Sequence, residues 1–421
     1  MKNLIRSFVP APILNAYHLV LASLGALLYR FPSRELVVIA VTGTKGKSST
    51  VEMIAALLHG AGRTVASAST IRFCVAGECE RNLFKMTMPG RFFLQRFLRR
   101  AADSGCTHAV IEMTSEGALQ HRHKGIDLDA LVFTNLQPEH LERHGSMERY
   151  AEAKLSLARA LGRSPKRPRI IVVNADDAYG QQFLETDVEI KQPFFLKDAE
   201  PYNSDDKHVR FVWRGELFTV PLPGVFNIYN CLAALSLGDA LGLDAQEMKR
   251  SLEHIAGIDG RAERVERGQP FAVVVDYAHT PDSLKALYEA YAVGSPEGKR
   301  RRIIGVLGAT GGGRDAWKRS AMGRIADEYC SSVYLTNEDP YDEDPQKIVD
   351  DVAQGFVRIT PSVVLDRRAA LAAALQEAHK GDVVLISGKG TDPYIMGKGG
   401  SKQEWSDVQV ATEELSKLGY N

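Results

Sequence analysis

The run Gly43-Thr44-Lys45-Gly46-Lys47-Ser48-Ser49 sits directly after the apolar stretch LVVIA and before the helix-like VEMIAALLHGAG. Small residues between a strand and a helix let backbone N–H groups close on phosphate oxygens, and the helix N-terminus favours negative charge there. Lys47 is then placed to neutralise the β- and γ-phosphates of a bound nucleotide, and the hydroxyl of Ser48 to ligate Mg²⁺. Magnesium needs more ligands than one serine. Glu112 in AVIEMTS and His140 in TNLQPEHLERHG, each just beyond an apolar run, are the candidates. Lys154 follows in the helical segment RYAEAKLSLARAL, where on spacing alone a lysine reads as a solvated helix face. The loop implies ATP and Mg²⁺, and by itself does not name what receives the phosphate.

Such a loop needs a sheet to carry it. From Leu36 onward, short apolar runs (LVVIAVTG, HAVIEMTS, LDALVFTNL, RIIVVNADD) alternate with amphipathic helices, which implies an α/β domain with a mostly parallel sheet covered on both faces. Strand ends then carry the site. Between Phe194 and Pro223 the pattern shortens to segments such as HVRFVWRGELFTVPLP, an expected antiparallel excursion. A helical stretch from Asn227 ends at Gly257, and a second series begins with FAVVVDYAH and runs through RRIIGVLGATGGGRD, SSVYLTNEDP and DVVLISGKGTD. The expected organisation is a helical segment at 1–35, a nucleotide-binding domain at 36–257 and a second α/β domain at 258–421.

Composition narrows the class. Among the 421 residues, Lys plus Arg and Asp plus Glu are 52 each, so no polyanion-binding surface is advertised and nucleic acid is not expected as a partner. Of five cysteines only Cys74 and Cys79 lie close together, a usage that suits reduced thiols in a cytoplasm and no zinc site. The N-terminal run VPAPILNAYHLVLASLGALLYRF is interrupted by Asn15, Tyr17, His18 and Ser23. It reads as an amphipathic helix packed on the following domain, without membrane contact.

The ordered strings GTKGKSS, EMTSEGALQHR, TNLQPEHLERHGSMERYAEAK, FNIYNCLAALSL, GRAERV with DYAHTPDSL, GATGGGRDAWKRSAMG, TNEDPYDEDP and GKGTD resemble the Mur ligases. Within that family the pattern is most similar to the MurE branch, which adds the third amino acid to the muramyl dipeptide precursor of peptidoglycan. The resemblance implies a phosphate-loop central domain and a Rossmann-like C-terminal domain. It also implies an ATP- and Mg²⁺-dependent ligase in which a substrate carboxylate becomes an acyl phosphate that an amine captures. Gly43, Thr44, Lys45, Gly46, Lys47, Ser48 and Ser49 would hold the nucleotide, with Asn230 near the base and Asp276, His279 and Arg314 joining from the second domain. Ser48, Glu112, His140 and Lys154 would serve the metals, Lys154 as a carbamate. Thr87, Ser115, Arg122, Asp339, Tyr341, Gly388 and Asp392 would face the UDP-muramyl peptide or the incoming amino acid. A monomer with small-molecule partners is expected.

Departures from the family pattern qualify the substrate. Only 35 residues precede the first strand, where the family carries a domain that grips the uridine diphosphate. Diaminopimelate-adding members read Asp-Asn-Pro-Arg where this chain has Glu338-Asp339-Pro340-Tyr341, and a phenol cannot replace a bidentate guanidinium. The acidic run Glu338, Asp339, Asp342, Glu343 and Asp344 would suit a cationic amino acid such as lysine. Gly-Lys-Gly-His-Glu is here Gly388-Lys389-Gly390-Thr391-Asp392, and KMTMPG around Thr87 stands for Asn-Thr-Thr-Pro. The alternatives are a related ligase on another substrate, of the folylpolyglutamate or cyanophycin synthetase kind, or a non-catalytic nucleotide-binding protein.

Overall fold

Six successive residues, VVIAVT, are β-branched or small and apolar, so they fit a strand buried on both faces. In the computed structural model they form β1 (Val37–Thr42), in which every residue but the first is buried. The structure describes residues 11–139, 141–292, 300–314 and 316–421. An N-terminal helix α1 (Ala11–Leu28) precedes β1, and α2 (Lys47–Gly60) follows it. The chain then forms β2 (Val65–Ala68), β3 (Arg72–Val75) and β4 (Glu78–Arg81), helix α3 (Arg91–Asp103), β5 (His108–Glu112), β6 (Ala130–Phe133), helix α4 (Met147–Gly162), β7 (Ile170–Asn174) and β8 (Ile190–Phe194).

These eight strands make one sheet in the order β4-β3-β2-β5-β1-β6-β7-β8. β1 pairs in parallel with β5 on one side and β6 on the other. The chain leaves β1 toward one half of the sheet and later returns to the other, which opens a crevice at the carboxyl end of β1. The two strands beside that crevice are the ones that end at Glu112 and precede Thr134. The β2-β3-β4 edge is antiparallel. Its register sets Cys74 opposite Cys79, and the two are joined in a disulfide, against the expectation of free thiols; Cys106, Cys231 and Cys330 are free and buried.

The antiparallel excursion is present as β9 (Tyr202–Ser204), β10 (Val209–Trp213) and β11 (Glu216–Val220), with Phe211 and Phe218 stacked across the ladder at 5.1 Å. Helix α5 (Val225–Ala240) follows, and Asn230 lies on it. The second series builds a six-stranded sheet, β12-β13-β17-β14-β15-β16, from β12 (Glu263–Arg264), β13 (Ala272–Asp276), β14 (Ile303–Leu307), β15 (Ser332–Leu335), β16 (Ser362–Val363) and β17 (Val383–Ser387). Only the β12 pairing is antiparallel. Alternate residues of β13, such as Val273 and Val274, enter separate apolar clusters on the two faces, as in a sheet covered by helices on both sides.

The chain forms two compact units. One comprises the residues up to Pro138, His144–Asp198 and Tyr229–Leu252; the other comprises Glu139–Arg143, Ala199–Ile228 and Glu253–Asn421. The three-stranded sheet thus groups with the second unit. No described helix is long and apolar enough to cross a membrane.

Candidate active site

The loop after β1 is shaped by two glycines that tolerate no side chain. At Gly43 (φ +151°) a Cβ would lie 1.9 Å from Thr134 Oγ1 and 3.1 Å from the backbone of Asn135. At Gly46 (φ +79°), the residue that caps α2, it would lie 2.2 Å from Asn230 Oδ1. The residues after β6 brace the loop. Thr44 N–H donates to the Asn135 carbonyl at 2.8 Å, Lys45 N–H to Asn135 Oδ1 at 2.8 Å, and Thr134 Oγ1 to the Lys45 carbonyl at 2.7 Å. The first turn of α2, from Lys47 through Ser48 and Ser49, directs its N–H groups back toward this bend, and Ser48 and Ser49 are both buried.

Glu112, at the end of β5, is the hub beside the loop and is 2% exposed. Its Oε2 accepts from Ser48 Oγ at 2.8 Å, from Thr70 N–H at 2.8 Å and from Thr70 Oγ1 at 3.0 Å. Its Oε1 lies 3.9 Å from Lys47 Nζ, which also donates to the Thr44 carbonyl at 2.8 Å. Lys154 on α4 is 1% exposed and donates to the Gly43 carbonyl at 2.6 Å, with its ammonium 4.9 Å from the centre of the Tyr150 ring. The solvated helix face that spacing alone suggested for Lys154 is therefore corrected: α4 turns this lysine inward onto the phosphate loop. Tyr150 Oη meets Thr44 Oγ1 at 3.0 Å. Lys47, Ser48, Glu112 and Lys154 thus surround one loop; His140 lies outside the described residues.

Among the described residues no three His, Cys, Asp or Glu side chains cluster as a metal cage. A hydroxyl and a carboxylate 2.8 Å apart suit an ion that keeps waters and takes phosphate oxygens, as Mg²⁺ does, and do not suit a fully enclosed metal. The substrate-side candidates of this unit group nearby. Thr87 Oγ1 lies 2.7 Å from Thr70 Oγ1, one hydrogen bond from Glu112. Ser115 Oγ meets His144 Nε2 at 3.1 Å. Arg122 donates to the Met88 carbonyl and to Gln120 Oε1.

In the second unit, Asp276 ends β13 and accepts from Ala262 N–H and Ala278 N–H, each at 2.6 Å. His279 Nε2 meets Glu139 Oε1, of the same unit, at 3.0 Å. The Arg314 guanidinium lies 5.0 Å from the centre of the Tyr341 ring. Gly388 (φ +104°) leaves room for Glu338, whose Oε2 would be 2.3 Å from a Cβ there. Lys389, fully buried, binds Asp339 at 2.9 Å and Asp392 at 3.4 Å. The negative charge of Asp392, and then burial, push the Tyr277 phenol well above its ordinary pKa. Burial likewise raises the Glu338 carboxyl.

The acidic run does not form a free anionic pocket. Glu338 accepts from Thr310, Asp339 from Lys389, Asp342 from Gly399 N–H and Glu343 from Arg319, while Asp344 caps the following helix. These acids hold loops together, so the argument from this run toward a cationic amino acid falls away.

A model described as Mur ligase middle domain matches residues 41–238, and one described as Mur ligase, glutamate ligase domain matches residues 260–390. A UDP-N-acetylmuramoyl-L-alanyl-D-glutamate--2,6-diaminopimelate ligase of Gloeobacter violaceus is 37% identical over 406 residues, spanning 94% of this chain and 80% of that protein. The chain belongs to the Mur ligase family. A UDP-N-acetylmuramyl-tripeptide synthetase of Roseiflexus sp. is 34% identical over 98% of this chain and 85% of its own length. A solved UDP-N-acetylmuramoyl-L-alanyl-D-glutamate--2,6-diaminopimelate ligase superposes with a TM-score of 0.61 at 29% identity, covering 92% of this chain and 79% of that one. The folylpolyglutamate synthase of Mycobacterium tuberculosis, solved with ADP, shares the fold with a TM-score of 0.71 at 17% identity, covering 96% and 95%.

Mur ligases are ATP-dependent enzymes that form amide bonds, and this Mur ligase keeps the strand, loop and helix that such chemistry needs. Sequence reading missed Thr70, Tyr150 and Lys389. Thr70 lies in the turn between β2 and β3, where only the parallel pairing of β2 with β5 brings it to Glu112. Tyr150 is four residues before Lys154 on the same helix face, a spacing that could have found it. Lys389 lies inside the GKGTD string and was passed over for the acid after it.

Proposed function

We propose that this Mur ligase adds the third amino acid to UDP-N-acetylmuramoyl-L-alanyl-D-glutamate, in the manner of the MurE branch. The observation that carries the reading is the joint placement of Lys47, Ser48 and Glu112 at the loop after β1, together with relatives of that name at 32–37% identity over most of the chain. The γ-phosphoryl group of ATP passes to the substrate's glutamyl carboxylate, and the resulting mixed anhydride is attacked by the amine of the incoming amino acid. An amide bond forms, phosphate leaves, and the amine proton goes to solvent.

In this reading the amides of the loop and the first turn of α2 orient the triphosphate, and Lys47 opposes the charge gathering on the transferring group. Ser48 and Glu112, with His140, would hold Mg²⁺, which screens phosphate charge when bound. Thr87, Ser115 and Arg122 would position the peptide. Asn230 is the candidate for the base in the first unit; in the second unit Asp276, His279 and Arg314 are the candidates for binding nucleotide, and Tyr341, Asp339, Gly388 and Asp392 those for the amino acid. We also propose that Lys154 is a carbamate in the working enzyme: its neutral amine adds to CO₂, an N–C bond forms, and a proton is released. A buried ammonium beside a loop meant for triphosphate and metal supports this, because the carbamate exchanges a cation for an oxygen donor.

Incubation with ATP, Mg²⁺, UDP-muramyl dipeptide and a panel of amino acids, scored by phosphate release and by mass spectrometry of the product, tests the function. Absence of any ligated product across the panel overturns it. Growth of a carbamate signal in ¹³C NMR on adding labelled bicarbonate, absent in Lys154→Ala, tests the modification.

A further inference from the structure

Helix α1 carries no Asp, Glu, Lys or Arg over Ala11–Leu28. One side of it is packed: His18 is 6% exposed and Ala22 and Ala26 are 0%. Arg91 of α3 hydrogen-bonds His18 Nδ1 at 2.7 Å, and Gly25 lies against Arg91, Phe92 and Gln95. The other side presents Ile13, Tyr17, Val20, Leu24, Leu27 and Leu28, each between 49% and 66% exposed. At about 100° per residue these six fall within one arc of roughly 100°. Phe92, 36% exposed and beside Gly25, adjoins the helix. The sequence-based expectation of a helix packed on the next domain therefore accounts for only half of its surface.

A contiguous apolar arc of this kind marks a surface that meets something. A partner helix docked on a seam spaced 13, 17, 20, 24 and 27 is ordinarily steered by charged residues flanking the seam, and α1 has none. Charged residues adjoin it only in sequence. Lys2 and Arg6 precede the helix in sequence, Arg30 and Arg34 follow it, Arg34 on the surface in an ion pair with Asp127 at 3.2 Å, and the first acidic residue of the chain is Glu35. Four cations and no anion in this segment contrast with a chain whose net charge is zero.

We propose that α1 docks this enzyme on the surface of a bilayer containing anionic lipid. The helix lies in the plane of the interface with its apolar arc among the acyl chains, and the cations adjoining it in sequence add long-range attraction to the anionic lipid. It rests on the membrane and does not cross it. Because Arg91, which holds His18, also donates to the Gln120 carbonyl, and Gln120 accepts from Arg122, the docked helix is joined by hydrogen bonds to the substrate-side loop. The proposal is independent of which amino acid the enzyme adds.

Flotation of the full chain with vesicles tests it. Vesicles of phosphatidylcholine with phosphatidylglycerol are expected to carry the protein, phosphatidylcholine alone to carry much less, and added salt to release it. The double substitution Leu24→Glu and Leu27→Glu, on exposed positions, is expected to weaken binding at least ~tenfold with an unchanged melting temperature. A second variant, Lys2→Gln with Arg6→Gln, leaves the arc intact and is expected to lower affinity for the anionic vesicles by roughly fivefold per charge. No binding to anionic vesicles, or equal binding by all three proteins, overturns the proposal. So does a wild-type dimer in light scattering that Leu24→Glu with Leu27→Glu converts to monomer without any vesicle binding, since a second copy would then be the cover.

Discussion

Glu112 concentrates the chemistry of the first unit in one carboxylate. It is 2% exposed, yet three donors from Ser48 and Thr70 reach one oxygen and the Lys47 ammonium stands 3.9 Å from the other. Glu112→Gln keeps the shape and removes the anion, so the half-saturating Mg²⁺ concentration is expected to rise at least ~tenfold while ATP-independent folding persists. A Mg²⁺ titration of phosphate release that superposes on wild type would refute a metal role for this residue. Lys47→Met deletes the charge that opposes the transferring phosphoryl group, and kcat is expected to fall by about 10²- to 10³-fold. The same variant keeps an unbranched apolar stem on the first turn of α2, so its melting temperature is expected to change far less than kcat. Both residues were legible from the sequence, since each sits where a strand pattern ends or a helix pattern begins. Thr70 was not, because nothing in a linear pattern says which turn a parallel crossover will carry to the end of β5.

At the level of elements, the loop is held as much by what is absent as by what is present. Gly46 has φ +79°, and a methyl group there would meet Asn230 Oδ1 at 2.2 Å. The Asn230 amide can swing aside; the backbone angle cannot change without unseating α2. Gly46→Ala is therefore expected to cost about 1–3 kcal/mol. Adding Asn230→Ala should recover only the part due to the clash, and chemical denaturation of the four proteins in a double-mutant cycle measures that part. Full recovery would show that the angle carries no strain. The alternation of strands and helices, the antiparallel β9-β10-β11 insert and the presence of a helix before β1 all followed from period and turn residues. Two readings failed for a shared reason. The acidic run at 338–344 read as suited to a cationic amino acid, and Cys74 and Cys79 read as reduced thiols, until tertiary pairing gave each acid a donor and the β3-β4 register set the two sulfurs face to face. Residue type was visible in both cases, and partner was not.

The whole molecule divides into two units with separate apolar cores, so its unfolding should not be a single two-state event. One buried group lets the two be told apart by pH. His123, in the first unit, is 3% exposed, and neither ring nitrogen has a hydrogen-bond partner among the described residues. Burial, reinforced by the nearby Lys124 charge, holds its pKa down at about 3, against an ordinary value of 6.5. The folded protein thus keeps the imidazole neutral while the unfolded chain takes up a proton. Its contribution is complete above about pH 6.5 and drains away as pH falls toward about 3. At pH 5 the loss from this one residue is about 2 kcal/mol. Calorimetry between pH 8 and pH 5 is expected to show two transitions, with the one belonging to the first unit falling faster on the acid side. His123→Leu, which cannot take a proton in either state, should flatten that transition's pH dependence and leave the other unmoved. If the variant and the wild type lose stability in parallel, the acid sensitivity belongs to other groups, and the imidazole, in the connection from the Ser115–Leu119 helix to β6, is only a buried packing element.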